Sequence, residues 1–370
     1  MKWGKKMKDG IDLPYLSYRN VEYQIKEQLH RLLNNIHWVN DVDIYSLNNN
    51  ECDFTAEATT DSGEKLIFFC EVKGSGEPRI IRTALENLRK YRDFFSNLNK
   101  SNACFLVGAP YISEKTSNIC DEYDIGYIDL SGNCKIVSKG IYIKVEGKPN
   151  KYKDARKTTS VFERSAVKSS IILRTLLTAS RKQWKVNELS MLTNTSLGQV
   201  SKVKKFLEEK ELITNGEQGF YVSGLKELIK EWAKVYHEKP NTVVECYSID
   251  PIPVIEKKLE ELNLKKGIEY ALTGFSGGAR YAPVVRYNKV HVYIQYQDLQ
   301  EALDFLGLKR VESGANISII VPYDPCVMLD SRKIQGSIVA SPAQVCLELL
   351  GLRGRGEEAA EAILDKEVVW

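Results

Sequence analysis

Between residues 20 and 34 the apolar side chains Val21, Ile25, Leu29, Leu32 and Leu33 recur at the spacing that gathers them on one helix face. The period then changes to two. Residues 39–45 and 52–59 alternate like half-buried strands, Asp61-Ser62-Gly63 reads as a turn, and 64–73 is an apolar strand with charged ends. Glu77-Pro78 opens a predicted helix over 79–96, followed by a strand over 104–107, a helix near 114–123 and a strand over 126–130. The order α, β, β, β, α, β, α, β belongs to the α/β class with a central mixed sheet, closing near residue 147.

A different rhythm follows. A helix is predicted over 163–179 with Ile171, Ile172, Leu176 and Leu177 on its buried side, then a short helix over 186–193. Asn194-Thr195-Ser196 supplies the turn and an N-cap for a third helix over 197–209, which sends Val200, Val203 and Leu207 inward. Two short strands, 212–214 and 220–222, flank Asn215-Gly216. Three helices and a hairpin are the order of a winged helix-turn-helix. Helices at 225–236 and 253–263, with strands at 290–295 and 317–321, predict a further α/β unit. The expected domains are therefore 1–147, a linker over 148–160, 161–224 and 225–370.

Composition narrows the class without naming it. At 370 residues, 43% hydrophobic and 27% charged, the chain is ordinary globular protein and too long for one core. Its apolar runs, such as Leu66 to Cys70, are strand length and far short of a membrane span. The first ten residues carry positive charge but no apolar stretch follows, which predicts no secretion and a reducing cytoplasm. Eight cysteines without CxxC or Cys/His pairing then read as free thiols. The net charge of +3 barely favours a polyanionic partner, so distribution decides. Residues 147–157 carry five basic residues, among them Lys151 and Lys153, against one acid. This basic linker is read either as a solvated tether or as a phosphate-contacting segment.

Candidate chemistry concentrates at Asp53 and at Glu71-Val72-Lys73, the end of a strand that runs into Gly74-Ser75-Gly76 and a helix. Side chains two apart share a strand face, so Glu71 and Lys73 point the same way. If the neighbouring strand brings Asp53 to that face, two carboxylates and an ammonium converge. Such a pair suits Mg²⁺, a hard cation that keeps several waters, and phosphodiester hydrolysis follows. The alternative is a surface salt bridge on a binding domain, since acid-x-Lys triplets also arise by chance, as at Glu208-Glu209-Lys210. In Gly126-Tyr127-Ile128-Asp129-Leu130-Ser131-Gly132-Asn133, Asp129 is a carboxylate in an apolar strand. It either caps the turn or faces the cleft beside Glu71.

The Asp53 and Glu71-Val72-Lys73 pattern resembles the PD-(D/E)XK nuclease superfamily over roughly residues 15–145. The resemblance implies a restriction-endonuclease-like mixed sheet, Asp53 and Glu71 as metal ligands, Lys73 as catalytic lysine and Glu22 as an extra acid; it departs at Cys52, where that family usually has Pro. The Gly126–Asn133 stretch, Leu272-Thr273-Gly274, His291 to Gln295, Ser341-Pro342-Ala343-Gln344 and the segment 354–360 are similar to AbiEi-type antitoxins. That resemblance implies a winged helix for DNA and a C-terminal AbiEi-like α/β domain; whether a toxin partner exists is not read from one chain.

Within the winged helix, Ser196, Gln199 and Lys202 stand near the front of the candidate recognition helix. Gln199 is expected to read bases, and Lys202, Lys204 and Lys205 to meet phosphate. Arg280, near glycines, is a further phosphate candidate, and Tyr281 and Tyr287 are candidates for stacking on an extruded base. Three functions stay open. The leading one is a DNA-processing enzyme of bacterial antiphage-defence type, needing Mg²⁺ at Asp53 and Glu71. The second is a metal-free DNA glycosylase acting through Asp53, Glu71 or Asp129. The third is a non-enzymatic antitoxin and repressor without cofactor. None involves a membrane.

Overall fold

The computed structural model describes residues 18–45, 52–97, 102–152, 161–162, 167–179, 182–236, 241–284, 286–352 and 354–367. The chain divides into two compact units, Met1–Thr158 and Thr159–Trp370, both of mixed α/β structure.

In the first unit, α1 (Tyr18–Asn34) buries Val21, Ile25, Leu29 and Leu33 completely, as the periodicity predicts. The strands β1 (Val39–Tyr45), β2 (Phe54–Thr60) and β3 (Lys65–Val72) form an antiparallel meander. Helix α2 (Pro78–Asn97) then crosses to β4 (Ala103–Ala109), which lies parallel to β3. Helix α3 (Glu114–Glu122) crosses to β5 (Gly126–Asp129), parallel to β4. Two strands not anticipated from the sequence, β6 (Cys134–Ser138) and β7 (Ile141–Val145), complete a seven-stranded sheet in sequential order.

Helices lie on both faces of this sheet. Alternation sends Phe54, Phe68, Cys70 and Val72 to the side of α1, where Ile25 approaches Gly108 so closely that a Cβ there would stand 2.9 Å from its Cγ2. Phe105, Val107, Ala109 and Tyr127 face the other way, against Ile81, Ala84 and Leu85 of α2. The polar residues of β3 therefore emerge on the α2 side.

The second unit opens with α4 (Val167–Thr178), α5 (Val186–Leu192) and α6 (Leu197–Glu209), followed by the hairpin β8 (Ile213–Asn215) and β9 (Phe220–Val222). Trp184 bridges to Phe220 and extends the hairpin. Helix α7 (Leu225–Tyr236) leads into a second seven-stranded sheet of β10 (Thr242–Tyr247), β11 (Tyr270–Leu272), β12 (Val290–Ile294), β13 (Lys309–Arg310), β14 (Ile317–Val321), β15 (Arg332–Ile334) and β16 (Ser337–Val339). Its order is β13-β10-β14-β12-β11-β16-β15. The remaining helices are α8 (Ile252–Lys266), α9 (Gly274–Tyr281), α10 (Leu299–Leu306), α11 (Pro342–Leu350) and α12 (Arg355–Glu367). One continuous hydrophobic core runs from Ile172 and Leu176 of α4 to Ile363 of α12.

All eight cysteines are free thiols. Burial pushes the Cys104 and Cys120 thiols up to about 12, so neither carries a reactive thiolate near neutral pH. No described helix is long and apolar enough to cross a membrane.

Candidate functional site

Register places the first group of candidates. Phe54 pairs with Cys70, and the Asp53 N–H, just outside β2, also donates to Cys70 O at 3.1 Å. That bond falls one residue out of the Phe54–Cys70 register, so Asp53 is an irregular step just before β2 and not a paired partner of Glu71, although its charge acts on the Glu71 carboxyl. Asp53 Oδ2 accepts the Val72 N–H at 2.6 Å, and Lys73 is ion-paired with Glu71. Both members of that pair are half-buried. Burial pushes the Glu71 carboxyl up, the Lys73 ammonium pulls it down, and the charge of Asp53 pushes it up again. Two carboxylates and one ammonium thus gather at the C-terminal end of β3.

The loop beyond Lys73 is clamped. The Lys73 N–H donates to Gly108 O at 2.8 Å, carrying the hydrogen bonding to β4 one residue past the end of β3. Gly76 lies so close to the β4–α3 loop that a Cβ would come within 1.7 Å of Tyr111 O, and Thr116 Oγ1 donates to Gly76 O at 3.0 Å. Only glycine fits there, which is why the lysine is followed by a glycine-rich turn.

Other candidates go elsewhere. Asp129 lies opposite Ala109, two strands across from β3, which is roughly 10 Å at 4.7–4.9 Å per strand. Its Oδ1 accepts the N–H groups of Gly132 and Asn133 at 2.8 Å each. Oδ2 accepts the Ile112 N–H at 2.9 Å and Asn133 Nδ2 at 2.7 Å. The side chain is fully buried. Its placement in the cleft is thereby corrected: Asp129 closes a turn, because four donors occupy its carboxylate. Glu22 sits on α1, against the opposite face, paired with Lys26 at 2.6 Å. Among the described residues no group of three or more His, Cys, Asp or Glu side chains is placed to hold a metal. Asp53 and Glu71 alone still fit Mg²⁺, which takes one or two carboxylates and keeps water in its other positions.

The basic segment does not begin as a solvated tether. The N–H of Lys148 donates to Asn133 Oδ1 at 2.8 Å and that of Lys151 to Ser131 Oγ at 3.1 Å, so 148–152 is pinned to the turn that Asp129 organises. The side chain of Lys151 is exposed, and Lys153 lies outside the described residues.

In the helical trio, Ser196 caps α6 by accepting the Gln199 N–H at 3.2 Å. Gln199 does not face outward as a base reader, since its Nε2 donates to Ser169 Oγ on α4 at 2.7 Å. Lys204 is 3.6 Å from Glu208 and 5.4 Å from the centre of the Phe220 ring. Lys202 is half-buried and Lys205 exposed on the same helix, beside an exposed apolar turn of Met191, Leu192 and Leu197.

Arg280 is corrected as well. Its Nη2 lies 2.7 Å from Glu256 Oε2, Tyr287 OH donates to Glu256 Oε1 at 2.6 Å, and Arg280 Nη1 approaches Tyr287 OH at 3.3 Å. A closed triad spends the charge that a phosphate would need. Tyr281 is core, its hydroxyl donating to Ala340 O at 2.7 Å.

Residues 222–369 match the AbiEi_2 family, described as a transcriptional regulator, the AbiEi antitoxin of a type IV toxin–antitoxin system. The C-terminal resemblance read from the sequence is thus supported for this segment, which spans α7 to α12. Comparison with curated proteins and with solved structures gave no match. One polar residue escaped the sequence reading altogether. Arg174 lies on the apolar side of α4, and its only signal was a charge among Ile172, Leu173 and Leu176.

Proposed function

We propose that this chain is a DNA-binding regulator of antitoxin type, with residues 161–224 acting as a winged helix that lays α6 against the phosphate backbone. What carries the reading is the match of 222–369 to a family of transcriptional regulators, directly following three helices and a hairpin. Lys202 and Lys205 are the phosphate contacts, with Lys151 an exposed cation on the first unit. Gln199, committed to α4, contributes no base readout, so specificity comes from the exposed front of α6 and from DNA shape. By analogy with its family, the chain's protein partner is a toxin. Fluorescence anisotropy on duplex DNA at graded salt tests this. The double variant Lys202→Glu, Lys205→Glu should flatten the slope of log affinity against log salt by about 2, at roughly 0.9 per lost phosphate contact. Salt-independent binding by the wild type defeats the proposal.

A second reading is favoured by the convergence of Asp53, Glu71 and Lys73: metal-dependent DNA cleavage by a nuclease-like first unit. Mg²⁺ held by Asp53 and Glu71 would supply a polarised water, and Lys73 would offset charge gathering on the phosphate. Strand breaks that disappear with EDTA, and in Asp53→Asn and Glu71→Gln, are its signature. DNA binding without any strand scission leaves the regulator reading alone. The glycosylase reading is weakened by the commitment of Asp129 to its turn.

A further inference from the structure

Helix α6 buries Val200, Val203 and Leu207 completely. Since a helix turns by about 100° per residue, the side opposite them carries Leu197, Ser201 and Lys205 in line, with Gly198 and Lys202 alongside. Leu197, Gly198, Ser201 and Lys205 are all exposed, and Lys202 is half-buried. The outer stripe therefore starts apolar and turns cationic along the helix. Leu197 is 56% exposed, which alone would be ordinary for a surface leucine. Its neighbour sets it apart.

Gly198 is a helical residue, its φ is not in the left-handed region, and a Cβ built on it would meet nothing within 4 Å. Neither packing nor backbone conformation asks for glycine there, and among residues other than proline glycine is the poorest helix former. A glycine that weakens its helix without serving the fold leaves the backbone open to close approach from outside. What approaches is selected by charge. Lys202 and Lys205 follow on the same side, while the acids Glu208 and Glu209 lie in the last turn, far from Leu197, and Glu208 is 3.6 Å from Lys204. From Leu197 to Lys205 the stripe runs roughly 12 Å at about 1.5 Å per residue, close to the ~12 Å width of the major groove of duplex DNA.

We infer that the first turn of α6 enters the major groove and that Leu197 reads thymine, its side chain seated on the C5 methyl group, while Gly198 leaves room for the neighbouring base edge. The thymine methyl is the apolar group that the major groove displays, and a leucine matches it where no hydrogen bond is on offer. Gln199, the side chain of that turn able to pair with a base edge, is held by Ser169. Lys202 and Lys205 then reach phosphates, which fixes the register of the helix on the duplex. This rests on the DNA-binding reading above and adds the base recognised and the residue that recognises it.

The test uses the full chain and duplexes that it enriches from a randomised pool, with each thymidine replaced singly by deoxyuridine, which lacks only the methyl group. Anisotropy at constant salt should show binding weakened about fourfold at one position or more, the worth of one buried methyl. Leu197→Ala should bind the thymidine and deoxyuridine forms equally. Gly198→Ala should melt at a higher temperature and yet lose affinity for the same duplex, a combination that a glycine kept for the fold does not give. Deoxyuridine tolerated at every position, a thymine preference that survives Leu197→Ala, or undiminished affinity in Gly198→Ala overturns the inference, while salt-dependent binding in the same titrations leaves the regulator reading standing. A wild-type chain that enriches no duplex removes both. If Leu197→Ala instead changes the oligomeric state in sedimentation and keeps the thymine preference, the apolar turn joins copies of the chain and the inference falls.

Discussion

Replacing Asp129 by alanine should unfold the C-terminal edge of the first unit without touching the candidate catalytic cluster. The carboxylate accepts four hydrogen bonds, but the four donors are not equally dependent on it. Gly132 N–H also reaches Asp129 O at 3.2 Å, and Asn133 Nδ2 also reaches Lys148 O at 3.2 Å. The N–H groups of Ile112 and Asn133 are left without an acceptor. At about 1–3 kcal/mol for each buried donor so stranded, the loss is about 4 kcal/mol, less whatever water entry recovers. Asp129→Asn should cost about 2–3 kcal/mol, because its amide keeps one acceptor oxygen but turns an NH₂ toward donors. Since a chain with two units need not unfold in one step, the readout is hydrogen exchange resolved by peptide. Faster exchange is expected over 109–113 and 126–138, with α4 to α12 unchanged. An Asp129→Ala protein with wild-type protection in these peptides would refute the assignment. Loss of DNA chemistry in a fully protected Asp129→Asn would return the residue to the cleft.

Further outcomes follow from the same geometry. Glu71 has a carboxyl raised by burial, so its contribution to stability is complete below the ordinary glutamate value and is lost as pH climbs through its folded value. Glu71→Gln should accordingly raise the melting temperature at neutral pH, with the gain shrinking on acidification; a gain that grows as pH falls contradicts the raised carboxyl. Gln199→Ala should cost about 1 kcal/mol through its lost bond to Ser169 while leaving DNA site preference unchanged, measured by urea melts and competition binding. Arg280→Met leaves the buried Glu256 carboxylate without its cation, with only the Tyr287 hydroxyl beside it, and should cost about 3–5 kcal/mol. A salt slope lowered by Arg280→Met at wild-type stability would reinstate it as a phosphate contact.

Periodicity alone anticipates most helices and the chain order of the elements up to β5, because α1 and β2–β3 each bury one face and their apolar spacing records which; the neighbour order of the strands came from the structure. The same alternation predicts that Glu71 and Lys73 share a face, and they are ion-paired; Asp53 reaches them through an irregular step before β2, its Oδ2 on the Val72 N–H, which no period records. Short strands were harder to see. β6 and β7 hold five residues each, with Lys135 and Lys144 directly opposed, and β11, β15 and β16 hold three, too few to establish a period. Polar side chains were least legible. Whether Gln199 turns to DNA or to Ser169, and whether Arg280 meets phosphate or Glu256, depends on partners 30 and 24 residues away. Arg174 and Asp324 are separated by 150 positions and meet only because α4 packs on the C-terminal lobe. Hydrophobic spacing is written locally, since each element must bury its own face. The partner of a buried charge is chosen by whichever distant group the packing delivers, and that only the tertiary structure decides.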